Sequence, residues 1–401
     1  MPSRYLSFRC SVPWLLLSLQ TLFFIYVFFH FPDGANIYSP SNFYPEFQDV
    51  NHMVIFGFGF FLMVLRRYGF SSTGLNFLLI VLGVQCSVLV EDLLLFFFLS
   101  CSLAKAVVST TAVAISTGAV LGKANPVQLI VMSLVELVFF YASRCINRRF
   151  LQVPDHLTLM HVHLFGAYFG VAVTSRFPEP PPGLDKNRST PKSELFSMLG
   201  TVFVWVFWPS FNSILADSKK EAVLNTYFAL AVSAVAAFML SALTSKDGKF
   251  RMTHIHSAVL AGGVTISYTA HSIQHPWIAM ILGLLGSVIT ILGSHCLQRC
   301  FNPAFKLQDT SGVHFTFGLP AVLGAVAAVV LCVIEKGIST QWNNLSSLGY
   351  LVFVDVGAFC QTISTALITG LITGLILNIK LLKTVHVSKY FDDQFYWEVS
   401  F

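Results

Sequence analysis

Asp155-His-Leu-Thr-Leu-Met-His-Val-His163-Leu-Phe-Gly-Ala-Tyr-Phe-Gly170 places one acid and three histidines at the start of, and inside, an otherwise apolar segment. Ionisable groups are expensive in hydrocarbon, so by default such a segment lines a pathway or an interior interface. His161 and His163 are two residues apart, about 200° around a helix, and cannot both face one lumen. Asp155 lies about 12 Å before His163 at 1.5 Å per residue. Its carboxylate can accept helix N-terminal amides as a cap or offset a cation arriving from outside. Gly166 and Gly170 permit close packing of a neighbouring helix.

Apolar runs like this one recur from end to end. The chain has 401 residues, of which 55% are hydrophobic and 11% charged, with mean hydropathy +0.71. Soluble domains carry about 25% charge, so a soluble reading is excluded and an all-α polytopic membrane protein is expected. The pattern predicts 12 transmembrane helices over 12–31, 51–66, 74–95, 106–121, 126–143, 157–175, 195–213, 223–243, 254–271, 277–297, 312–334 and 348–380. The run from Val12 has no small-residue cleavage site, so it reads as a retained first helix. With the N-terminus cytoplasmic, only Lys105, Arg144, Arg148, Arg149, Lys219, Lys220 and Lys336 of 24 basic residues fall outside. That bias sets an even number of spans and a cytoplasmic C-terminus. The basic outer loop around Arg148 is its weak point.

The whole chain, 1–401, reads as a single membrane domain. Residues 1–175 form a first half, and 176–194, with Pro178, Pro180, Pro181 and Pro182, form an extended cytoplasmic linker. Residues 195–380 form a second half, and 381–401 a short cytoplasmic tail. A central linker suits two related halves in inverted repeat, although no repeat is visible in the residues themselves. The net charge of +5 is too small to point to nucleic acid.

Eight cysteines show no metal-ligand cadence. Cys86, Cys332 and Cys360 read as packing residues. Cys10, Cys296 and Cys300 sit at cytoplasmic boundaries, as free thiols or palmitoylation sites. The sequon at Asn187 falls inside; the one at Asn344 falls outside, close to the last span, as a candidate glycosylation site.

Trp205-Val-Phe-Trp-Pro-Ser-Phe-Asn-Ser213 ends the seventh span with a helix-breaking proline and aromatics that suit an interfacial belt, or, with a ring in the path, a gate. Gly318 and Pro320 in His314-Phe-Thr-Phe-Gly-Leu-Pro320 predict a distorted helix. His254 and His256 open the ninth span ahead of small residues and read as close-packing positions. Glu91 and Asp92 read as interfacial, whereas Glu136 and Asp355 need polar partners within the bundle. With no nucleophile–base arrangement, phosphate loop or metal cluster, neither an enzyme nor a cofactor is expected.

Five blocks occur in order: Gly118-Ala-Val-Leu-Gly-Lys123, Phe165-Gly-Ala-Tyr-Phe-Gly170, Trp208-Pro-Ser-Phe-Asn-Ser213, Leu260-Ala-Gly-Gly-Val264 and Tyr390-Phe-Asp-Asp-Gln394. Together they resemble the Rhesus (Rh) branch of the ammonium transporter/methylammonium permease/Rh superfamily, over nearly the whole chain. The short tail ending in Phe-Tyr-Trp397 and the absence of a sequon in the first loop look most like the erythroid blood-group members. The resemblance implies a trimer in which eleven helices of each subunit surround a narrow pore, plus one extra N-terminal helix.

In conducting relatives an outer acid recruits substrate, two phenylalanines gate it, and two hydrogen-bonded histidines pass neutral ammonia. By the resemblance, Asp155 matches the acid, His163 the first histidine and Phe211 the lower gate. Val108 stands at the upper gate, ten residues before Gly118. Phe317, in Thr316-Phe-Gly-Leu-Pro320, stands where the second histidine belongs; His314, three residues upstream, does not fill that position. This half-kept pore implies an accessory subunit with little or no conduction of its own, or else a residual channel for neutral ammonia or carbon dioxide. The implied partners are membrane lipids, copies of itself or the Rh-associated glycoprotein, and an ankyrin-linked skeleton at the erythroid plasma membrane.

Overall fold

In a computed structural model the described residues are 8–30, 44–94, 103–180, 185–294, 309–339, 345–382 and 384–398. Candidate sites Cys296, Cys300 and Asn344 lie outside them, whereas Cys10 falls in the first helix.

The helices are α1 (Phe8–His30), α2 (Tyr44–His52), α3 (Phe58–Phe61), α4 (Asn76–Leu94), α5 (Leu103–Ala119), α6 (Pro126–Arg149), α7 (Asp155–Met160), α8 (Val162–Thr174), α9 (Pro191–Ser213), α10 (Lys219–Thr244), α11 (Met252–Thr265), α12 (Pro276–Leu292), α13 (Leu319–Ser339) and α14 (Leu345–Leu377). Helical segments fall at each of the twelve expected positions. Eight among the described residues are long and apolar enough to cross a membrane, and α5 and α12 are shorter apolar helices. The chain is a multi-pass helical membrane protein. Tyr44–Phe61 is less apolar than these eight, because its first half, Tyr-Pro-Glu-Phe-Gln-Asp-Val-Asn-His52, is polar.

Local chemistry sets several boundaries. Asn125 and Gln128 form a reciprocal capping box ahead of Pro126, and Thr190 and Ser193 do the same ahead of Pro191. Each box satisfies donors that a helix start otherwise leaves orphaned. Pro209 does not end α9 as expected. The helix runs on to Ser213, and Ile214 N–H donates to the Ser210 carbonyl at 2.9 Å. The proline lacks only its own donor to the preceding turn.

Burial separates interior helices from peripheral ones. In the most apolar window of Asp155–Thr174, 89% of residues are buried, against 11% in α1 and 17% in α14. The segment bearing the histidines is therefore enclosed by protein, packed by α5 on one side and α14 on the other. Gly166 and Gly170 explain the α5 contact. A Cβ at Gly166 would stand 2.6 Å from the Ala112 carbonyl oxygen, and one at Gly170 would stand 2.7 Å from Ser116 Cα. Gly166→Ala is expected to lower stability by about 1–3 kcal/mol, as overpacking does. Thermal unfolding in detergent would register this, and an unchanged midpoint would mean that α5 and α8 are free to separate.

Glu136, expected to need a polar partner, finds one, and so does Asp92, expected at an interface. Ser116 donates to the fully buried Glu136, joining α5 to α6, and the Tyr26 hydroxyl donates to Asp92, tying α1 to α4. Glu91, expected at an interface, is buried instead. Cys360, expected to pack, is exposed on α14. The tail folds back on the segment around Ser71 and on the linker. Asp393 accepts from Phe70 N–H at 2.8 Å and Ser71 N–H at 2.9 Å, and Trp397 Nε1 donates to Ser71 Oγ at 2.9 Å. Asp392 pairs with Lys186 of the linker at 2.7 Å.

Candidate functional site: an aromatic column between two histidines

The site begins at its outer end with Asp155. Pro154 takes the N-cap position of α7, so the capping expected of Asp155 does not occur. The carboxylate instead joins three cations: Lys105 Nζ at 2.7 Å, Arg144 Nη2 at 2.8 Å and Arg148 Nη1 at 3.3 Å. Helical spacing explains the grip, since Arg144 and Arg148 are four apart on one face of α6. The Arg144 side chain is only 3% exposed, and its guanidinium lies 5.0 Å from the centre of the Tyr141 ring. This accounts for the basic outer loop that weakened the charge bias. With Asp155 and the nearby Glu91 both ionised, three cations still outnumber the acids, so this mouth does not offer a net negative field to a cation.

At the break between α7 and α8 the histidines diverge. His161 turns to α14, where its Nδ1 lies 2.9 Å from Thr362 Oγ1. His163 turns to α9 and is fully buried. The divergence follows from their two-residue spacing. Two rings lie nearly parallel to His163: Trp208 at 5.6 Å and 15°, and Phe317 at 6.4 Å and 9°. Phe211 meets it edge-on at 5.5 Å. No side chain among the described residues hydrogen-bonds either His163 nitrogen, and its one polar neighbour there is the Met160 backbone. Trp208 is thus a buried wall and not an interfacial belt residue. Tertiary packing of α9 against α8 and α11 overrides the position that its sequence suggests.

Phe317 sits in a π-helical turn, His314–Gly318, which is the distortion expected before Pro320. That turn aims its ring inward, where Phe58 and Phe61 pack at 5.8 and 5.9 Å. His314 leaves in another direction, meeting Tyr168 at 5.8 Å, and does not replace the missing imidazole. Val108 is fully buried on α5 and brings no ring to the upper gate position.

Beyond Phe61 comes a histidine that sequence reasoning assigned to packing. His256 stacks on Phe61 at 3.7 Å and 13° and is 5% exposed. Ser197 Oγ donates to the Phe61 carbonyl at 3.0 Å and Thr201 Oγ1 donates to the Ser197 carbonyl at 2.9 Å. Both hydroxyl protons are committed, so His256 Nδ1, at 2.8 Å from Ser197 Oγ, must donate. Its Nε2 is then a lone-pair acceptor without a protein partner. A Ser–Thr pair four apart on α9 was the available signal, but nothing local links it to a histidine on α11. The outcome is a continuous column of Phe211, His163, Phe317, Phe61 and His256.

A separate cavity opens above Phe211. It is small and is lined by His156, Met160, Asn212, Ser267 and His271 among others. At the opposite end, Lys123 is 2% exposed and donates to Thr174 Oγ1 at 3.1 Å. Burial pushes its ammonium down to about 8, against the opposing pull of Asp309 and Glu179.

Comparison with known proteins places this arrangement. A sequence model described as the Ammonium Transporter Family matches residues 13–393. An RH-like protein of Macaca mulatta is 41% identical, covering 99% of this chain and 98% of its own length. A protein of Rattus norvegicus named Blood group Rh(D) polypeptide is 40% identical over 99% of this chain and 98% of its own. The solved structure of Nitrosomonas europaea Rh50, described with the mechanism of conduction by the Rhesus protein family of channels, superimposes with a TM-score of 0.74. It shares 28% identity and covers 91% of this chain and 93% of that one.

Proposed function

Because this chain belongs to the ammonium transporter family, whose members move solutes and are not enzymes, we propose that it is a Rh-type accessory subunit whose own pore conducts little or no ammonia. One observation carries the reading. The Phe317 ring lies parallel to His163 where the resemblance expects a second imidazole, and Phe58 and Phe61 back it. An apolar ring there offers no hydrogen bond to a polar molecule leaving His163. A constriction lined by rings also sheds water readily.

The outer end supports the same conclusion. Asp155 is engaged by three cations, so its charge is spent within the protein before any ammonium ion arrives. Val108 leaves the upper gate without a ring, and Phe211 alone remains above His163. In this reading Asp155, Val108, His163, Phe211 and Phe317 mark a retained but altered pathway, and His314 lies beside it. The twelve helices form two related halves, 1–175 and 195–380, joined by the linker 176–194. Both termini are cytoplasmic.

The likeness to blood-group polypeptides supports a place in the erythroid plasma membrane. There the subunit would join a trimer, either of its own kind or with the Rh-associated glycoprotein, and connect to an ankyrin-linked skeleton. A second reading, a channel for neutral ammonia or carbon dioxide, is favoured by His163 itself. No side chain hydrogen-bonds its ring, which leaves a nitrogen for a passing molecule, but this route needs Phe317 to swing aside.

Proteoliposomes separate the two. Vesicles containing this protein alone are expected to admit ammonia no faster than empty vesicles, measured by internal pH after an ammonium pulse. Permeability well above the empty control would overturn the accessory reading. The subunit stoichiometry of the complex purified from native membranes tests the partnership, and a pure homotrimer would remove the proposed glycoprotein partner.

A further inference from the structure

The outer cavity brings together two histidines that are far apart in the chain. His156 lies on α7 and His271 follows α11, and their rings meet at 5.1 Å and 85°. His156 Nε2 is buried without a hydrogen-bond partner. Two imidazoles on one tetrahedral ion, with metal–nitrogen bonds of about 2.0–2.1 Å, have ring centres about 5 Å apart. The observed centre-to-centre separation is of that size.

Asn212 supplies an independent observation. It lines the same cavity and is 4% exposed. Its amide nitrogen donates to Thr226 Oγ1 at 3.1 Å and to the Gly263 carbonyl at 3.2 Å. Those two bonds fix which way the amide points, and they leave Oδ1 buried with no partner. A buried acceptor left unpaired is costly, and a cation relieves that cost. Asp217 lies close enough to His271 to attract it electrostatically, adding negative charge beside the site.

We propose that this vestibule binds one borderline transition-metal dication of the zinc class, held by His156 and His271 with Asn212 Oδ1 as a further donor. Imidazole selects zinc, copper or nickel over calcium and magnesium, which require carboxylate-rich oxygen cages. Among the described residues no cluster of three or more His, Cys, Asp or Glu gathers at a metal-sized site. The pair is therefore completed by an amide oxygen and water, and no cadence in the sequence announces it. The site lies above Phe211 and does not depend on whether the pore conducts.

The test is calorimetric titration of Zn2+ into the full chain in lipid nanodiscs. Saturable binding of one equivalent per chain is expected, and His156→Gln or His271→Gln should each weaken it about tenfold or more. Unchanged melting and elution would show that the variants remain folded. Electron paramagnetic resonance with Cu2+ bound to the wild-type chain gives a second readout that needs no variant, and coupling to two imidazole nitrogens is expected. Absence of saturable binding, equal affinity in the folded variants, or coupling to fewer than two nitrogens would each overturn the proposal.

Discussion

Phe317→His is expected to give proteoliposomes an ammonia permeability clearly above that of the wild-type chain. His163 and Phe317 already lie 6.4 Å apart in nearly parallel planes, so an imidazole at 317 would stand next to a histidine that no side chain hydrogen-bonds. A restored polar partner is worth about 0.5–1.5 kcal/mol for an ordinary hydrogen bond and about 1–3 kcal/mol where it relieves an unpaired buried group. Each 1.36 kcal/mol off a barrier is tenfold in rate, so the increase is expected at roughly 10-fold and at most about 100-fold. The Phe61 ring remains below and sets the upper limit. Flux that stays at the wild-type level would move the obstruction to Phe58, Phe61 or the cationic mouth, and Phe61→Ala would distinguish these.

Asp155→Ala is expected to have the largest effect on folding. The substitution leaves Lys105, Arg144 and Arg148 facing one another, with Arg144 almost entirely out of water. Breaking a buried ion pair by removing one partner costs about 3–5 kcal/mol, so the variant should melt at a much lower temperature and reach the cell surface poorly. A purely recruiting acid would behave differently, since its loss would leave the fold intact and alter only substrate entry. Arg144→Met combined with Asp155→Leu removes cation and anion together and is expected to recover part of the lost stability. A fully stable Asp155→Ala protein would mean that the carboxylate is not what holds these cations.

The two experiments address different halves of the same pathway. The first asks whether the apolar ring closes the constriction, and the second asks why the outer acid has been retained. If Asp155 is structural, its presence carries no information about transport.

Much of the fold was legible in the residues because the bilayer imposes a coarse rule on sequence. Apolar runs must be long enough to span, and cations must stay on one side. Those rules located the helices, and helical geometry alone gave His161 and His163, two residues apart, different directions. That the helix is distorted at His314–Gly318 followed from Gly318 and Pro320; that the distortion is a π-helical turn did not. Other assignments failed where an environment is made by segments distant in sequence. Trp208 has the local signature of an interfacial aromatic, yet α8 and α11 enclose it. His256 looked like a packing residue because Ser197, Thr201 and Phe61, which give it a polarity and a neighbour, come from other helices.

Asp155 shows the same division. Its sequence neighbours suggested a cap, and the family resemblance suggested a recruiting acid. Neither reveals that α5 and α6 deliver three cations to it. The sequence by itself determined a polytopic helical membrane chain and its transport-family likeness, and the resemblance led us to expect Phe317 where a second pore histidine belongs. Only the tertiary structure decided that His163 lies alongside Trp208 and Phe317, that Asp155 is neutralised from neighbouring helices, and that His156 meets His271. The physical reason is that hydropathy and helical period act along the chain, whereas electrostatic pairing and ring stacking act through space between helices whose order in sequence does not fix their adjacency.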